Sequence, residues 1–240
     1  MIRLITFALG IAVTLTVPAV LAITGVRLAM SDRYVEAVYE HGRIPDDRYG
    51  LAEDERTALA LVGLHSVLPS SDGGISLLRE ARLRDGSPAF NARELAHMED
   101  VRTLVGRAYR FQVIALIAIA ALAVLLGLHR STRSVVPVAL GRGALLTIAV
   151  AGLVAAVSVT KYGWFETPFH TVFFAGDTWR FAETDTLRRL YPDRFWLDTA
   201  ITIGAIAVVQ ALVLYALARV WARRAQARQA FRLRARTQSS

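Results

Sequence analysis

Four stretches of this chain carry no Asp, Glu, Lys or Arg: Leu4 to Val26, Phe111 to Leu128, Gly143 to Thr160 and Thr199 to Ala218. Each satisfies the rule that about 18 or more predominantly apolar residues, wound as a helix, cross a hydrocarbon core of roughly 30 Å. A backbone in lipid has to satisfy its own polar groups, so such segments fold as helices. The expected architecture is therefore all-α and polytopic, with four transmembrane helices at 4–26, 111–128, 143–160 and 199–218 in a single membrane domain spanning 1–240. The first stretch is longer than the roughly 7 to 15 residues of a signal-peptide core, and is read as a span.

Charge sets the orientation. All 20 acidic residues lie either between Asp32 and Asp100 or between Glu166 and Asp198. The remaining connections hold arginine only: Arg3 before the first span, Arg130, Arg133 and Arg142 between the second and third, and a basic tail over 219–240. The positive-inside bias then predicts both termini in the cytoplasm. Residues 31–110 and 161–198 become two extracytoplasmic loops, the first of about 80 residues and partly helical. The net charge of +8 is concentrated in the tail and the short basic segments. It is read as a topology signal with attraction to anionic membrane lipids, and no nucleic-acid partner is expected. With no cysteine in the chain, thiol catalysis, disulfides and cysteine metal sites are excluded.

The first loop has local pattern. Tyr34 to Tyr39 and Asp54 to Leu68 read as amphipathic helices, and Ser70 to Gly74 and Asp85 to Pro88 as turns. Asn91 as N-cap, Glu94 three residues on for a capping-box exchange, and Phe90 with Leu95 as a staple predict a helix beginning at Ala92. Spacing of three places Glu94, His97 and Asp100 on one face, beside an apolar stripe of Met98, Val101 and Val105. A straight helix would hold His97 about 21 Å above Phe111. A break near Gly106, or a tilt along the interface, is therefore expected.

Neither a serine-hydrolase elbow nor a phosphate-cradling glycine loop nor a His-Glu-x-x-His motif occurs. His41, His65 and His129 lack convergent polar neighbours in sequence and read as surface or boundary residues. His97 is better placed, because Glu94 and Asp100 flank it at three-residue spacing and can orient or charge an imidazole; the alternative is a solvated charged face. His170 has Asp177 downstream and is set among Phe169, Phe173 and Phe174, rings suited to a membrane interface. Two other readings stay open: a metal-dependent extracytoplasmic hydrolase using His97, His170, Asp100 and Asp177, and a non-enzymatic membrane scaffold. Transport is disfavoured, since Gln210 and Pro18 are the notable interruptions within the spans.

Two long motifs carry a resemblance. FNARELAHMEDVRTLV contains His97, Met98, Asp100 and Val101 as a His-Met-x-Asp-Val core. FHTVFFAGDTWRFAETDTLRRLYPDRFWLDTA presents Phe-His-x-x-Phe-Phe, Asp-x-Trp-x-Phe, Asp-x-Leu and Pro-x-x-Phe-x-x-Asp elements in order. The chain resembles the lipoprotein intramolecular transacylase (Lit) family of integral membrane proteins. It departs from the family in Arg102, where a lysine is usual, and in Ala175-Gly176, where a bulkier pair is usual. The resemblance implies an acyltransferase of the cell membrane, acting at the extracytoplasmic face on diacylglyceryl lipoproteins. It would move the sn-2 acyl chain onto the α-amine of the lipidated cysteine, leaving a lyso-form N-acylated product. It implies His97 and His170 as catalytic, Glu94, Asp100 and Asp177 as supporting, and Phe169, Phe173, Phe174 and Trp179 as contacts for lipid tails, with no cofactor or metal. Which histidine acts as base, and whether an acyl-imidazole forms, is left open by the residues alone.

Overall fold

The computed structural model describes residues 2–41, 44–129, 131–160 and 179–237. Eight helices occur among them: α1 (Ile2–Ala29), α2 (Asp32–Glu40), α3 (Glu53–Val67), α4 (Ser76–Glu80), α5 (Ala92–Gly127), α6 (Val135–Thr160), α7 (Thr186–Leu190) and α8 (Asp193–Thr237). Strands are absent among the described residues, apart from one isolated bridge pairing Arg82 with Pro88. The chain divides into two compact units, a bundle unit of Met1–Gly25, Phe111–Ala156 and Gly204–Ser240, and a loop unit of Val26–Arg110 and Val157–Ile203.

The bundle unit is built from the four long apolar helices α1, α5, α6 and α8, each long and apolar enough to cross a membrane. Its apolar side chains point outward as well as inward: Leu4, Phe7, Ile114, Ile117, Leu153, Val209 and Leu217 are all more than half exposed. Helices that are apolar all round need lipid rather than water as their solvent, so the chain is a multi-pass membrane protein. Inside, Val13, Val17 and Ala139 form a small core with Leu21, Ile119, Leu122, Leu140 and Leu214 around it. Small residues allow close backbone approach. A β-carbon on Gly143 would lie 2.6 Å from Val17 Cβ and 2.9 Å from the Thr14 carbonyl oxygen. Thr14 Oγ1 also donates to the Ala139 carbonyl at 3.3 Å. Gln112 is buried, and its amide donates to Val20 O at 3.1 Å and Thr24 Oγ1 at 2.7 Å, tying α5 to α1.

The loop unit has two apolar clusters. One gathers Leu51, Leu59, Val67, Ile75, Leu78, Phe90, Met98, Leu187 and Leu190; the other gathers Val35, Val38, Tyr39, Ile44, Ala60, Leu64 and Phe195. α3 opens on Glu53, Asp54 and Glu55, which complement the positive end of its dipole. Its last carbonyls are taken by Arg102, whose Nη1 donates to Ser66 O at 2.9 Å and Leu68 O at 3.0 Å. Arg102 has five donors in a planar fork, so one side chain on α5 closes the end of α3 where a lysine would reach fewer acceptors. Asp47 forms a bidentate pair with Arg189, Oδ1 to Nε at 3.0 Å and Oδ2 to Nη2 at 2.7 Å, and also accepts the Leu51 N–H at 2.8 Å. These donors lower the Asp47 carboxyl to about 2, with the Arg189 hydrogen bonds the largest cause.

One of the two alternatives for the start of α5 is excluded. α5 runs from Ala92 to Gly127 without interruption, so the break near Gly106 does not occur. A glycine in a helix interior costs about 1 kcal/mol relative to alanine, too little to interrupt a cooperative helix with strong formers on both sides.

Candidate active site

The first turn of α5 folds as its sequence directs. Asn91 Oδ1 accepts the N–H groups of Arg93 at 2.9 Å and Glu94 at 3.1 Å, while Glu94 Oε2 accepts the Asn91 N–H at 2.7 Å. This is a reciprocal capping box. Phe90 is buried and Leu95 packs against the same cluster, giving the staple beneath it.

Glu94 does more than cap its own helix. Its second oxygen, Oε1, accepts the Leu187 N–H at 2.6 Å, so a carboxylate on α5 serves the N-terminus of α7, 93 residues along the chain. The residue is 1% exposed. Burial pushes its carboxyl above the ordinary range, against the pull of the Asn91 and Leu187 N–H groups. Both oxygens of Glu94 therefore accept backbone N–H groups.

His97, one turn on, is 8% exposed and packs against Phe181, ring centroids 5.2 Å apart and planes at 77°. This is the edge-to-face arrangement that aromatic quadrupoles favour. Met98 and Val105 are buried and Val101 half-buried, so the apolar stripe faces the core. Asp100 is exposed. The face carrying Glu94, His97 and Asp100 is thus not a uniformly solvated charged surface: two of its three groups are buried, and one of those is a structural tie.

The second motif enters through residues 179–198. Trp179 is half-buried, with the Arg180 guanidinium 5.2 Å from its ring centroid. Asp185 Oδ1 accepts the Asn91 side-chain amide at 3.0 Å, and Oδ2 accepts the Ala182 N–H at 2.8 Å. The two motifs, distant in sequence, therefore meet through Asn91–Asp185, Glu94–Leu187 and His97–Phe181. His170, Asp177, Phe169, Phe173 and Phe174 lie outside the described residues.

Phe181 and Asp185 were not singled out by sequence reasoning as site residues. The available signals were their places in the Asp-x-Trp-x-Phe and Asp-x-Leu elements and, for Asp185, its position just before the short Thr186–Leu190 helix, where an aspartate reads as a local N-cap. Of the other histidines, His65 Nε2 pairs with Asp32 Oδ1 at 2.8 Å on the surface, and His41 Nδ1 lies 2.6 Å from the Ala37 carbonyl oxygen. His129 is exposed.

Four helices long and apolar enough to cross a membrane, one of which carries a histidine buried beside an aromatic ring, define an integral membrane protein with a candidate catalytic centre. The family model for the lipoprotein intramolecular transacylase Lit matches residues 75–196, which contain the whole first motif and the second as far as Trp196. An uncharacterised protein from Aquifex aeolicus (strain VF5) is 32% identical over 182 residues, covering 75% of this chain and 79% of that protein. The chain belongs to the lipoprotein intramolecular transacylase family, and is a membrane acyltransferase. The fold is similar to that of the membrane-integral Lit of Bacillus cereus, with a TM-score of 0.67 over 93% of this chain and 97% of that one at 17% identity. A histidine-to-alanine variant of the same bacterial protein gives 0.63 over 94% and 99%, at 18% identity.

Proposed function

We propose that this protein transfers the sn-2 acyl group of a diacylglyceryl-cysteine lipoprotein to the α-amine of that same cysteine, at the extracytoplasmic face of the cell membrane. The observation that carries the reading is His97: a titratable side chain of the first family motif, 8% exposed and seated against Phe181 of the second. Buried imidazoles with fixed orientation suit proton transfer near neutral pH. Amine and ester already belong to one molecule, so folding them together supplies much of the entropic advantage of the reaction.

His97 removes a proton from the ammonium, whose ordinary pKa is about 8. The free amine nitrogen attacks the sn-2 carbonyl carbon, forming a C–N bond and a tetrahedral oxyanion. Collapse breaks the bond between that carbon and the glyceryl oxygen as the nitrogen, positively charged after attack, loses its second proton and the departing alkoxide gains one, so that ammonium and ester together release one proton in all. The product is an amide and a free sn-2 hydroxyl. His170 is assigned to stabilise the oxyanion or protonate the alkoxide, with Asp177 supporting it. Since both Glu94 oxygens accept backbone N–H groups, its support of His97 is positional, and the exposed Asp100 is the carboxylate left to interact with the imidazolium. Phe169, Phe173, Phe174 and Trp179 are assigned to the acyl chains.

Purified protein with a synthetic diacylglyceryl-cysteine lipopeptide tests the reading. The lipopeptide is expected to become an N-acyl lyso product of identical mass and altered fragmentation, and its N-acetylated form is expected to be inert. His97→Ala is expected to regain part of its lost rate as pH rises through about 8, where the substrate is already a free amine; His170→Ala is not. Release of free fatty acid from the blocked lipopeptide would indicate hydrolysis instead.

A further inference from the structure

We propose that Asp185 is a positioning residue for acyl transfer: it fixes the peptide that carries Phe181, and through Phe181 sets the orientation of the His97 imidazole. The inference rests on reading His97 as the base. Asp185 stands at the N-cap position of α7 but makes no side-chain cap hydrogen bond to that helix. Its carboxylate turns away, Oδ2 to the Ala182 N–H at 2.8 Å and Oδ1 to the Asn91 amide at 3.0 Å. The Leu187 N–H at the start of α7 is served instead by Glu94, at 2.6 Å. α7 thus takes its cap from Glu94 of α5, whereas α5 is capped by its own Asn91.

The consequence falls on Phe181. The peptide on its C-terminal side is held at the Ala182 N–H by Asp185, while the peptide on its N-terminal side is held at the Arg180 carbonyl by Arg93 Nη1, at 3.2 Å. The Asp185 N–H also donates to the Ala182 carbonyl at 3.0 Å, closing the four-residue loop from both its backbone and its side chain. Asn91 and Arg93, which anchor the two sides, both belong to the start of α5, one turn before His97. The ring is thereby fixed relative to the helix that carries the histidine, and its edge-to-face contact restrains the imidazole. A base misaimed by about an ångström costs rate on the order of a hundredfold, whereas binding of the lipid tails need not change.

The test is a donor–acceptor swap assayed with the synthetic diacylglyceryl-cysteine lipopeptide in detergent micelles. In Asp185→Asn one oxygen still accepts the Ala182 N–H, but an NH2 group now faces the Asn91 NH2 group. kcat is expected to fall about tenfold or more, with KM changed by less than about twofold. Adding Asn91→Asp restores an acceptor to that contact and retains a good N-cap, and is expected to bring kcat back to within about threefold of wild type. Phe181→Leu keeps the apolar contact with the core but removes the ring, and is expected to lower kcat similarly. Combining it with Asp185→Asn should cost less than about twofold more, because both act through one contact. Wild-type kcat in Asp185→Asn, no rescue by the swap, or losses that multiply in the Phe181→Leu combination would each overturn the inference. If Asp185→Asn does not fold, Phe181→Leu decides alone, and an unchanged kcat in it is refuting. Retained activity in His97→Ala would overturn the assignment of the base, whereas an inactive His97→Ala beside a fully active Asp185→Asn would overturn only the positioning role.

Discussion

Replacing Glu94 by glutamine separates the structural tie from direct catalysis. The wild-type carboxylate is 1% exposed and accepts two backbone N–H groups, from Asn91 at 2.7 Å and Leu187 at 2.6 Å. Glutamine retains one acceptor, and its NH2 group meets the other N–H donor to donor. A hydrogen bond to a charged group contributes about 1.5–3 kcal/mol, and an unsatisfied buried N–H costs about 1–3 kcal/mol. Against this, the neutral amide no longer pays the desolvation of a buried charge, the effect that raises the Glu94 pKa. The net loss is about 2–3 kcal/mol, equivalent to a fall of about 5–10 °C in melting temperature for a chain of this size. Thermal unfolding in detergent, followed by circular dichroism, measures it. Acyl transfer should also fall, but with partial recovery on cooling as the tie between α5 and α7 reforms. A melting temperature within about 1 °C of wild type, with activity abolished, would refute the reasoning and make Glu94 a direct partner of the reacting groups.

Three further outcomes are expected. Asp47 has a folded-state pKa of about 2, below the ordinary value of 3.8, so its contribution is fully present above about pH 4 and is lost as pH falls toward 2; Asp47→Asn should remove on the order of 2 kcal/mol at pH 6 and flatten the acid limb of a plot of melting temperature against pH. Gly143→Val in the bundle should destabilise by about 1–3 kcal/mol, since even a β-carbon would lie 2.6 Å from Val17 Cβ, and the check is the melting temperature compared with that of Gly152→Val, a position where a β-carbon meets nothing within 4 Å. Reporters fused after Ser240 or within residues 130–142 are expected to read cytoplasmic, and those near Ser71 or Glu183 extracytoplasmic; a cytoplasmic reporter at Ser71 would overturn the proposed orientation.

Much of the architecture was legible because membrane helices and helix starts have local signals. The charge-free stretches marked the four long apolar helices, and Asn91 with Glu94 marked the first residue of α5, where the capping box forms as read. Of the two alternatives for this segment, the break at Gly106 does not form, because the penalty of one glycine is small beside the cooperativity of 36 helical residues. The ties of the loop unit were not legible at all. Asp47 meets Arg189 across 142 positions, and Glu94 meets the Leu187 N–H across 93, and neither spacing leaves a periodic trace. A backbone N–H at a helix start also looks the same in sequence whether a local or a distant oxygen serves it. Asp185 shows the point most clearly: its position suggests a cap for α7, and its carboxylate instead serves Ala182 and Asn91. At the candidate site, the spacing of Glu94, His97 and Asp100 was readable, but their division into a buried tie, a buried imidazole and an exposed carboxylate depends on what α7 and Phe181 bring against them.

The proposed activity is tested most directly by the N-termini of lipoproteins from cells that lack every other N-acylating activity and express this chain. Mass spectrometry is expected to show N-acyl, lyso-form cysteine in cells expressing the wild-type protein, and only diacyl, free-amine termini in cells expressing His97→Ala at the same level. Free-amine diacyl termini in both would contradict intramolecular acyl transfer, and N-acyl lyso termini in both would contradict the role assigned to His97.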